Sequence, residues 1–428
     1  MHAEAADFRP LEAPSTLVDV MFALTIASMF AGFHQSIVPV KVQLCDLLAL
    51  ITMALAGMKG FASPRPSPTV LGALIVYLLC YSISGLFVSL AIGLKEIVQI
   101  LLVFGFLFVI FGYYRTRSAD RMLVIAATLI FAVLVYNISW HVAHGELVGW
   151  KQLNEPKTVF TLLPLLIVLL VARFGRPGRQ FLFVLAACAA AVVILLSGER
   201  KAYIVAVLAL AIWAGPMKML RYAIALAVLV PVLAFVMSAD KTGYLSRQVD
   251  SISAITSDRP HQEATLSGLL DDNRPMTLST AQREFSKRIA QSMWEKQPLF
   301  GIGTGAFAEA ILKYSSVPVV FRMNIHGEFY RALYENGIVG LSLYVMCWLT
   351  AFGSILFQWS RLTASGQWQI NRIRLLFVTV FIVYCAFEAS KELTQFCICA
   401  LPFVCALGGG SARPQRERTE HFMGTEPA

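Results

Sequence analysis

The sequence predicts an all-α integral membrane protein of about twelve transmembrane helices, with one large helical loop on the outer face. Three observations lead there. Hydrophobic residues make up 57% of the 428 residues and charged residues only 14%, against roughly 25% charged in ordinary soluble domains. The mean hydropathy is +0.67, and the apolar residues are gathered into runs of the length that crosses a bilayer, about 20 helical residues. Basic residues crowd into every second gap between those runs, the charge bias of a multi-pass protein. The net charge of +9 then belongs to cytoplasmic loops and not to a nucleic-acid surface, since no basic patch interleaved with aromatics is present.

In chain order, residues 1–16 form a cytoplasmic tail. They hold Glu4, Asp7 and Glu12 against Arg9, so the first apolar run has no basic leader segment and is read as a retained helix. Nine spans follow between 17 and 237: 17–33, 37–58, 69–91, 97–113, 121–140, 157–172, 180–197, 201–215 and 218–237. Of these, 157–172 and 201–215 are short for a crossing. The outer loop occupies 238–336, the last three spans are 337–358, 372–388 and 392–409, and a second cytoplasmic tail runs over 410–428.

One set of gaps holds Lys59 and Arg65; Arg115, Arg117 and Arg121; Arg173, Arg176 and Arg179; Lys218 and Arg221; Arg361, Arg372 and Arg374; and Arg413, Arg416 and Arg418. The alternate short gaps hold only Lys95, Lys151, Lys157, Arg200, Lys201 and Lys391. The positive-inside rule puts the first set and both termini in the cytoplasm. The loop 238–336 and the short turns 197–201 and 388–392 then face outward.

The eight cysteines, Cys45, Cys80, Cys188, Cys347, Cys385, Cys397, Cys399 and Cys405, all lie in apolar runs. That placement argues against a disulfide framework or a zinc site and for small core residues.

A loop of about 100 residues is far longer than an ordinary connection and is expected to carry function. Its stretch 240–275 is polar and irregular, with a turn at Asp271-Asp272-Asn273-Arg274-Pro275. In "TLSTAQREFSKRIAQSMWEKQP", Ser279 or Thr280 can cap a helix that Pro298 ends. Phe285, Ile289 and Met293 form an apolar stripe at four-residue spacing, bordered by Arg288. The following "PLFGIGTGAF" places Gly301, Gly303 and Gly305 in what reads as a tight turn, with a phosphate-cradling nest as the alternative. No Lys-Ser or Lys-Thr follows, so it is not a nucleotide loop.

The most polar cluster of the chain sits in "RMNIHGEFY", just ahead of a span. His326 is flanked there by Arg322, Asn324, Glu328 and Arg331. Histidine is the side chain best suited to accept a proton near neutral pH, so His326 is a candidate base, against the plainer reading of an interfacial histidine. Arg322 and Glu328 are candidates to contact substrate. Arg200 and Lys201 lie in "LLSGERKAY", a very short outer turn between apolar runs, and Lys41 follows Pro39 at the outer end of the second span. Each could snorkel to the interface or contact a charged substrate group. His141, His144 and Glu146 end the fifth span, but no further ligand accompanies them and an interfacial role is the simpler reading.

The elements "SGERKAY", "RIAQSMWEKQPLFGIGTGAF" and "IHGEFYRALYENGIVGL", in that order across about twelve helices, resemble the O-antigen ligase and polymerase superfamily of bacterial envelopes over residues 190–350. The resemblance implies a glycosyltransferase of GT-C type in the bacterial inner membrane, with its active site on the periplasmic face. It would join O-antigen from undecaprenyl diphosphate to lipid A–core oligosaccharide. By the family pattern His326, Arg288 and Arg200 are the catalytic positions; Lys201, Lys41, Arg322 and Glu328 stay candidate substrate contacts on the reading of the residues themselves. Many relatives carry Asn or a similar residue after the histidine, where this chain has Gly327. No metal or other cofactor is expected, because fixed arginines can stabilise the charge that grows on a departing diphosphate. The alternatives are an O-antigen polymerase, a protein O-oligosaccharyltransferase and, in a different class, a polyprenyl-glycan flippase. A flippase would show paired charges deep in its spans and internal repeats; the sequence shows few mid-span charges and no repeat.

Overall fold

The structure, a computed structural model, describes residues 15–30, 44–143, 163–170, 190, 194, 200–214, 278–307, 325–364, 368–387 and 391–407. Helices make up nearly all of these: α1 (Thr16–Phe30), α2 (Leu44–Met58), α3 (Pro68–Val88), α4 (Leu90–Arg115), α5 (Asp120–Ala143), α6 (Arg200–Ala214), α7 (Leu278–Trp294), α8 (Glu328–Ala364), α9 (Trp368–Phe387) and α10 (Lys391–Ala406). Residues 163–170 are helical too, and no strand occurs among the described residues. α3, α4, α8 through Trp359 and α9 from Gln369 are long and apolar enough to cross a membrane; α1, α2 and α10 are apolar but shorter. The expected spans 180–197 and 218–237 lie outside the described residues apart from helical Ala190 and Ile194. There the proposal of twelve spans rests on the sequence.

Packing follows from the apolar surface. α8 lies against α3, α9 and α10, and α4 against α2, α3 and α10. The shared core includes Leu74, Tyr77, Phe106, Tyr344, Trp348, Leu376, Tyr384 and Leu401. Of the described cysteines, all but Cys80 are buried in that packing. The outward sides of α3, α4 and α8 remain apolar: Leu79, Ile83, Leu94, Val98, Leu101, Leu349 and Leu356 are all exposed. A face so apolar on several neighbouring helices suits acyl chains and not water.

Three junctions differ from the sequence reading. Lys95 and Glu96 were expected at an outer gap, but α3 and α4 are separated by Ser89 alone. Its extended backbone makes the corner, its N–H closes α3 on the Gly85 carbonyl, and its hydroxyl accepts from the Ile92 N–H to cap α4. Lys95 therefore lies on α4, exposed, and Glu96 beside it is buried. Arg372 and Arg374 were expected in an inner loop, yet α9 starts at Trp368 and takes both in. Arg374 is fully buried and donates through Nη1 to Gln358 Oε1 of α8 at 2.6 Å. Charge marked these stretches as loops, whereas helix-to-helix hydrogen bonding carries the charges inside.

The third junction is in α8, which begins at Glu328 and kinks at Gly337, where the expected span starts. Gly337 has φ 68° and ψ −168°, and a Cβ there would stand 2.2 Å from the Leu299 carbonyl oxygen. The kink frees the Tyr334 and Glu335 carbonyls, which accept from the amides of Ile302 (3.0 Å) and Gly303 (2.8 Å). The amides of Ile338 and Val339 donate instead to the carbonyls of Pro298 (3.0 Å) and Leu299 (3.2 Å). The segment 298–303 thus satisfies the groups that the broken helix leaves open.

The bundle has two chemically different ends. At one, Arg117 donates to the carbonyls of Lys59 and Gly60 and lies over the Tyr113 ring, and Arg115 donates to the Ser63 carbonyl. Arg121 donates to Thr16 Oγ1, the Ser15 amide to the Tyr113 hydroxyl, and the Ser67 amide to the Pro402 carbonyl. Arg115, Arg117 and Arg121 of one gap in the sequence are gathered there with Lys59 of another. The other end holds the polar site.

Candidate active site

The site begins with the apolar stripe of α7. Ile289 and Met293 pack, as their spacing predicts, against a small core of Ala290, Phe307, Ile325 and Tyr334; the Phe285 side chain lies outside the described residues. Trp294 meets the Tyr334 ring edge-on and donates through Nε1 to the Pro298 carbonyl (3.1 Å). Lys287 Nζ lies 4.0 Å above the Tyr330 ring, a cation–π contact. This docks α7 on the first turns of α8. Arg288 is exposed on α7, next to core-facing Ile289, and His326 directly follows core residue Ile325. One small core therefore fixes the backbone under both.

The glycine turn is the second support. The amides of Gly301, Ile302, Gly303, Thr304 and Ala306 are all used within the chain. That accounts for the turn and takes up most of the amides that a phosphate nest would use. Thr304 is fully buried, with Oγ1 2.9 Å from the Tyr81 carbonyl and 2.6 Å from Asn336 Oδ1. One hydroxyl proton cannot serve both acceptors. With the Asn336 amide turned, Nδ2 donates to the hydroxyl and the hydroxyl donates to Tyr81. This chain ties the turn and α8 to α3.

The histidine turn is the third. Gly327 has φ +88°, and a Cβ on it would stand 2.6 Å from the Ala386 carbonyl oxygen. The turn lies flush on the end of α9, where any side chain, Asn included, would force a shift. Arg331 clamps the turn from below. It donates through Nη1 to Glu328 Oε2 (2.8 Å), through Nη2 to the Ile325 carbonyl (3.3 Å), and through its amide to the Gly327 carbonyl. Thr394 of α10 donates to the same Glu328 oxygen at 2.9 Å. The side chains of the ion pair are 6% and 5% exposed. His326 is half-buried, with Nε2 shielded from solvent.

A second polar layer lies beneath. Gln395 donates to the Tyr81 hydroxyl (3.3 Å), which donates to Glu96 Oε2 (3.0 Å). A small cavity between the layers is lined by Tyr77, Tyr81, Glu328, Tyr344, Thr394 and Gln395. Burying ionised groups this way adds little net stability, but each partner fixes the others because breaking the set is costly.

Of the residues singled out by sequence, His326 and Glu328 share the turn and Arg288 stands on the helix docked to it. Arg200 and Lys201 open α6, which packs on α9; their side chains lie outside the described residues. Lys41, Arg322, His144 and Glu146 also lie outside, as does the side chain of His141 on α5. Among the described residues, no three His, Cys, Asp or Glu are grouped to hold a metal ion. Sequence reasoning did not find Glu96, Tyr81, Thr304, Asn336, Thr394 or Gln395. The Glu328–Arg331 pair has a signal in its i,i+3 spacing, but the sequence reading took Glu328 as a substrate contact and did not pair the two.

Fold and site together define an all-helical, multi-pass membrane protein with a polar site built where the segment ahead of α8 meets the bundle. Residues 181–345, less than half of the chain, match the profile of the O-antigen ligase family. That domain is shared by O-antigen ligases, O-antigen polymerases and O-oligosaccharyltransferases. The match takes in α6, α7, the glycine turn, His326 and the kink of α8, while α3, α4 and α10, which brace them, lie outside it. The chain has no match among curated proteins.

Proposed function

We propose that this chain is a membrane glycosyltransferase that moves O-antigen polysaccharide from undecaprenyl diphosphate to a sugar hydroxyl of lipid A–core oligosaccharide. The reaction takes place at the periplasmic face of the bacterial inner membrane. One observation carries the reading. His326 sits on a turn locked by a buried ion pair and shares a small core with the Arg288 helix, at the bundle end opposite the basic residues. Under the positive-inside rule that end faces outward.

The chemistry follows from the compartment. No nucleotide sugar is available outside, so the donor is lipid-carried and its leaving group is a diphosphate. The acceptor hydroxyl oxygen attacks the anomeric carbon as the bond from that carbon to the diphosphate oxygen breaks. The hydroxyl proton passes to neutral His326, and the bond electrons leave with the diphosphate. A single displacement inverts the anomeric carbon. Arg288 and Arg200 meet the growing negative charge, where removing one such donor costs on the order of 10²–10³ in rate. Lys201, Lys41 and Arg322 contact the charged substrates. Glu328, facing inward, acts through Arg331 on the position of His326. The arginines do the work otherwise done by a metal, and no cofactor is required.

The test is transfer by purified protein in vesicles with one lipid-linked donor and three acceptors in turn. Extension of lipid A–core alone marks the ligase. Extension of a second lipid-linked glycan marks a polymerase, and modification of Ser or Thr on a protein marks an O-oligosaccharyltransferase. Movement of donor across the bilayer without transfer to any acceptor would overturn the enzyme reading in favour of a flippase.

A further inference from the structure

By sequence, residues 298–300 belong to a water-facing loop, but their contacts place them elsewhere. Pro298 and Leu299 pair through their carbonyls with the amides of Ile338 and Val339, the first residues of α8 beyond its kink. There α8 enters its apolar, lipid-facing stretch. The side chains agree with that depth: Leu299 is 58% exposed, Phe300 68% and neighbouring Ile338 47%. Just before them Glu295, Lys296 and Gln297 are exposed and polar, so polarity changes sharply at Pro298. Trp294, half-buried with its indole N–H on the Pro298 carbonyl, stands at the step, where tryptophan favours a membrane interface.

The apolar rim continues next door. Gly303 sits against Val88 so closely that a Cβ would stand 2.1 Å from Val88 Cγ2. The α3–α4 corner beside it exposes Phe87 and Leu90. From there exposed apolar residues continue along α3 (Ile83, Leu79), α4 (Leu94, Val98, Leu101) and α8 (Leu349, Leu356), with exposed Lys95 beside them on α4, a side chain long enough to reach the headgroup level. Irregular backbone at membrane depth needs its polar groups satisfied. Pro298 has no N–H, and the carbonyls of Pro298 and Leu299 and the amides of Gly301, Ile302 and Gly303 are paired, while the Leu299 and Phe300 amides are not among the paired groups. The backbone therefore suits the headgroup–acyl boundary, where water reaches it, with the two side chains pointing deeper.

We infer that the Leu299 and Phe300 side chains, with those of Phe87 and Leu90 at the α3–α4 corner, insert into the acyl chains of the outer leaflet from the headgroup boundary, a lipid anchor inside the nominally soluble loop. The occupant is bilayer lipid, because the rim is continuous with the lipid-facing helices. The anchor sets the depth of α7 and of the histidine turn, both fixed to the same segment. The inference needs the membrane reading of the apolar helices and, for the choice of leaflet, the positive-inside orientation, and no assumption about the reaction.

The experiment measures collision of a nitroxide with oxygen and with a water-soluble nickel chelate. The full chain carries Cys80→Ser and Cys188→Ser, leaving buried cysteines among those described, and is held in vesicles of phosphatidylethanolamine and phosphatidylglycerol without donor. Label at Phe300→Cys should show the high oxygen-to-chelate ratio of label at Leu349→Cys, and label at Gln297→Cys the low one. Leu299→Cys gives the same reading if Phe300→Cys does not fold. A chelate-accessible label at 300 would overturn the inference, as would a label shielded from both probes, which would mean protein cover. Chelate exclusion that appears only on adding a polyprenyl phosphate would assign the rim to the donor's chain and also overturn it.

Discussion

Replacing Glu328 with alanine removes the carboxylate that two buried donors share, and the consequence can be worked through. Arg331 Nη1 and Thr394 Oγ1 lie 2.8 and 2.9 Å from the same oxygen. Hydrogen bonds to charged groups contribute about 1.5–3 kcal/mol each, and breaking a buried ion pair costs about 3–5 kcal/mol. The two routes agree on a loss of about 3–5 kcal/mol for Glu328→Ala. Glu328→Gln keeps the shape and one acceptor, so about half that loss is expected. Joint replacement of Glu328 by Gln and Arg331 by Met should recover part of it, since an apolar partner removes the buried charge. Thermal unfolding in detergent reads the stability. Donor binding and single-turnover transfer read the site: the turn should loosen, so transfer slows while the diphosphate lipid still binds. Unchanged stability in Glu328→Ala would refute the clamp. Unchanged transfer with weakened donor binding would return Glu328 to the role of a direct substrate contact.

Three further outcomes follow. Gly337→Ala should destabilise the protein by more than the ~1–2 kcal/mol of a left-handed residue, because its Cβ also meets the Leu299 carbonyl at 2.2 Å; an unchanged melting temperature would contradict the stitched kink. Topology reporters at Thr265 and Gly198 should read periplasmic, and those at Arg117 and Arg416 cytoplasmic; a cytoplasmic signal at Thr265 would sink the orientation and the site with it. Transfer should persist in EDTA, and loss restored by a divalent ion would bring His141, His144 and Glu146 back into consideration.

The helices were legible where hydropathy alone decides them: α1 to α5 fall on the expected runs, with ends shifted by several residues. Errors came where charge was read as a marker of water. Glu96 is buried on α4, and Arg374 is buried on α9 against Gln358. The polar "EFYRALYEN" reads as loop but forms the first turns of α8, and Gly337, read as a boundary, is a kink within one helix. In the site, four-residue spacing revealed the packing face of α7, and local sequence revealed the charged histidine turn. The bracing groups were out of reach because they come from far along the chain. Thr394 is 66 residues from Glu328, and Gln395 is 314 from Tyr81. No local pattern encodes such pairs, which exist only once α3, α8 and α10 are packed.

The account stands most directly on His326 as the group that takes the acceptor's proton. The measurement is single-turnover transfer from undecaprenyl-diphosphate-linked O-antigen to lipid A–core by folded His326→Ala, alongside binding of the donor lipid and parallel Arg288→Ala and Arg200→Ala variants. His326→Ala should bind donor nearly as the parent does while transfer collapses, and the arginine variants should lose both, since each removes a charge-assisted contact to the diphosphate. Near-normal transfer by folded His326→Ala at neutral pH would contradict the account and leave the histidine turn a braced membrane edge.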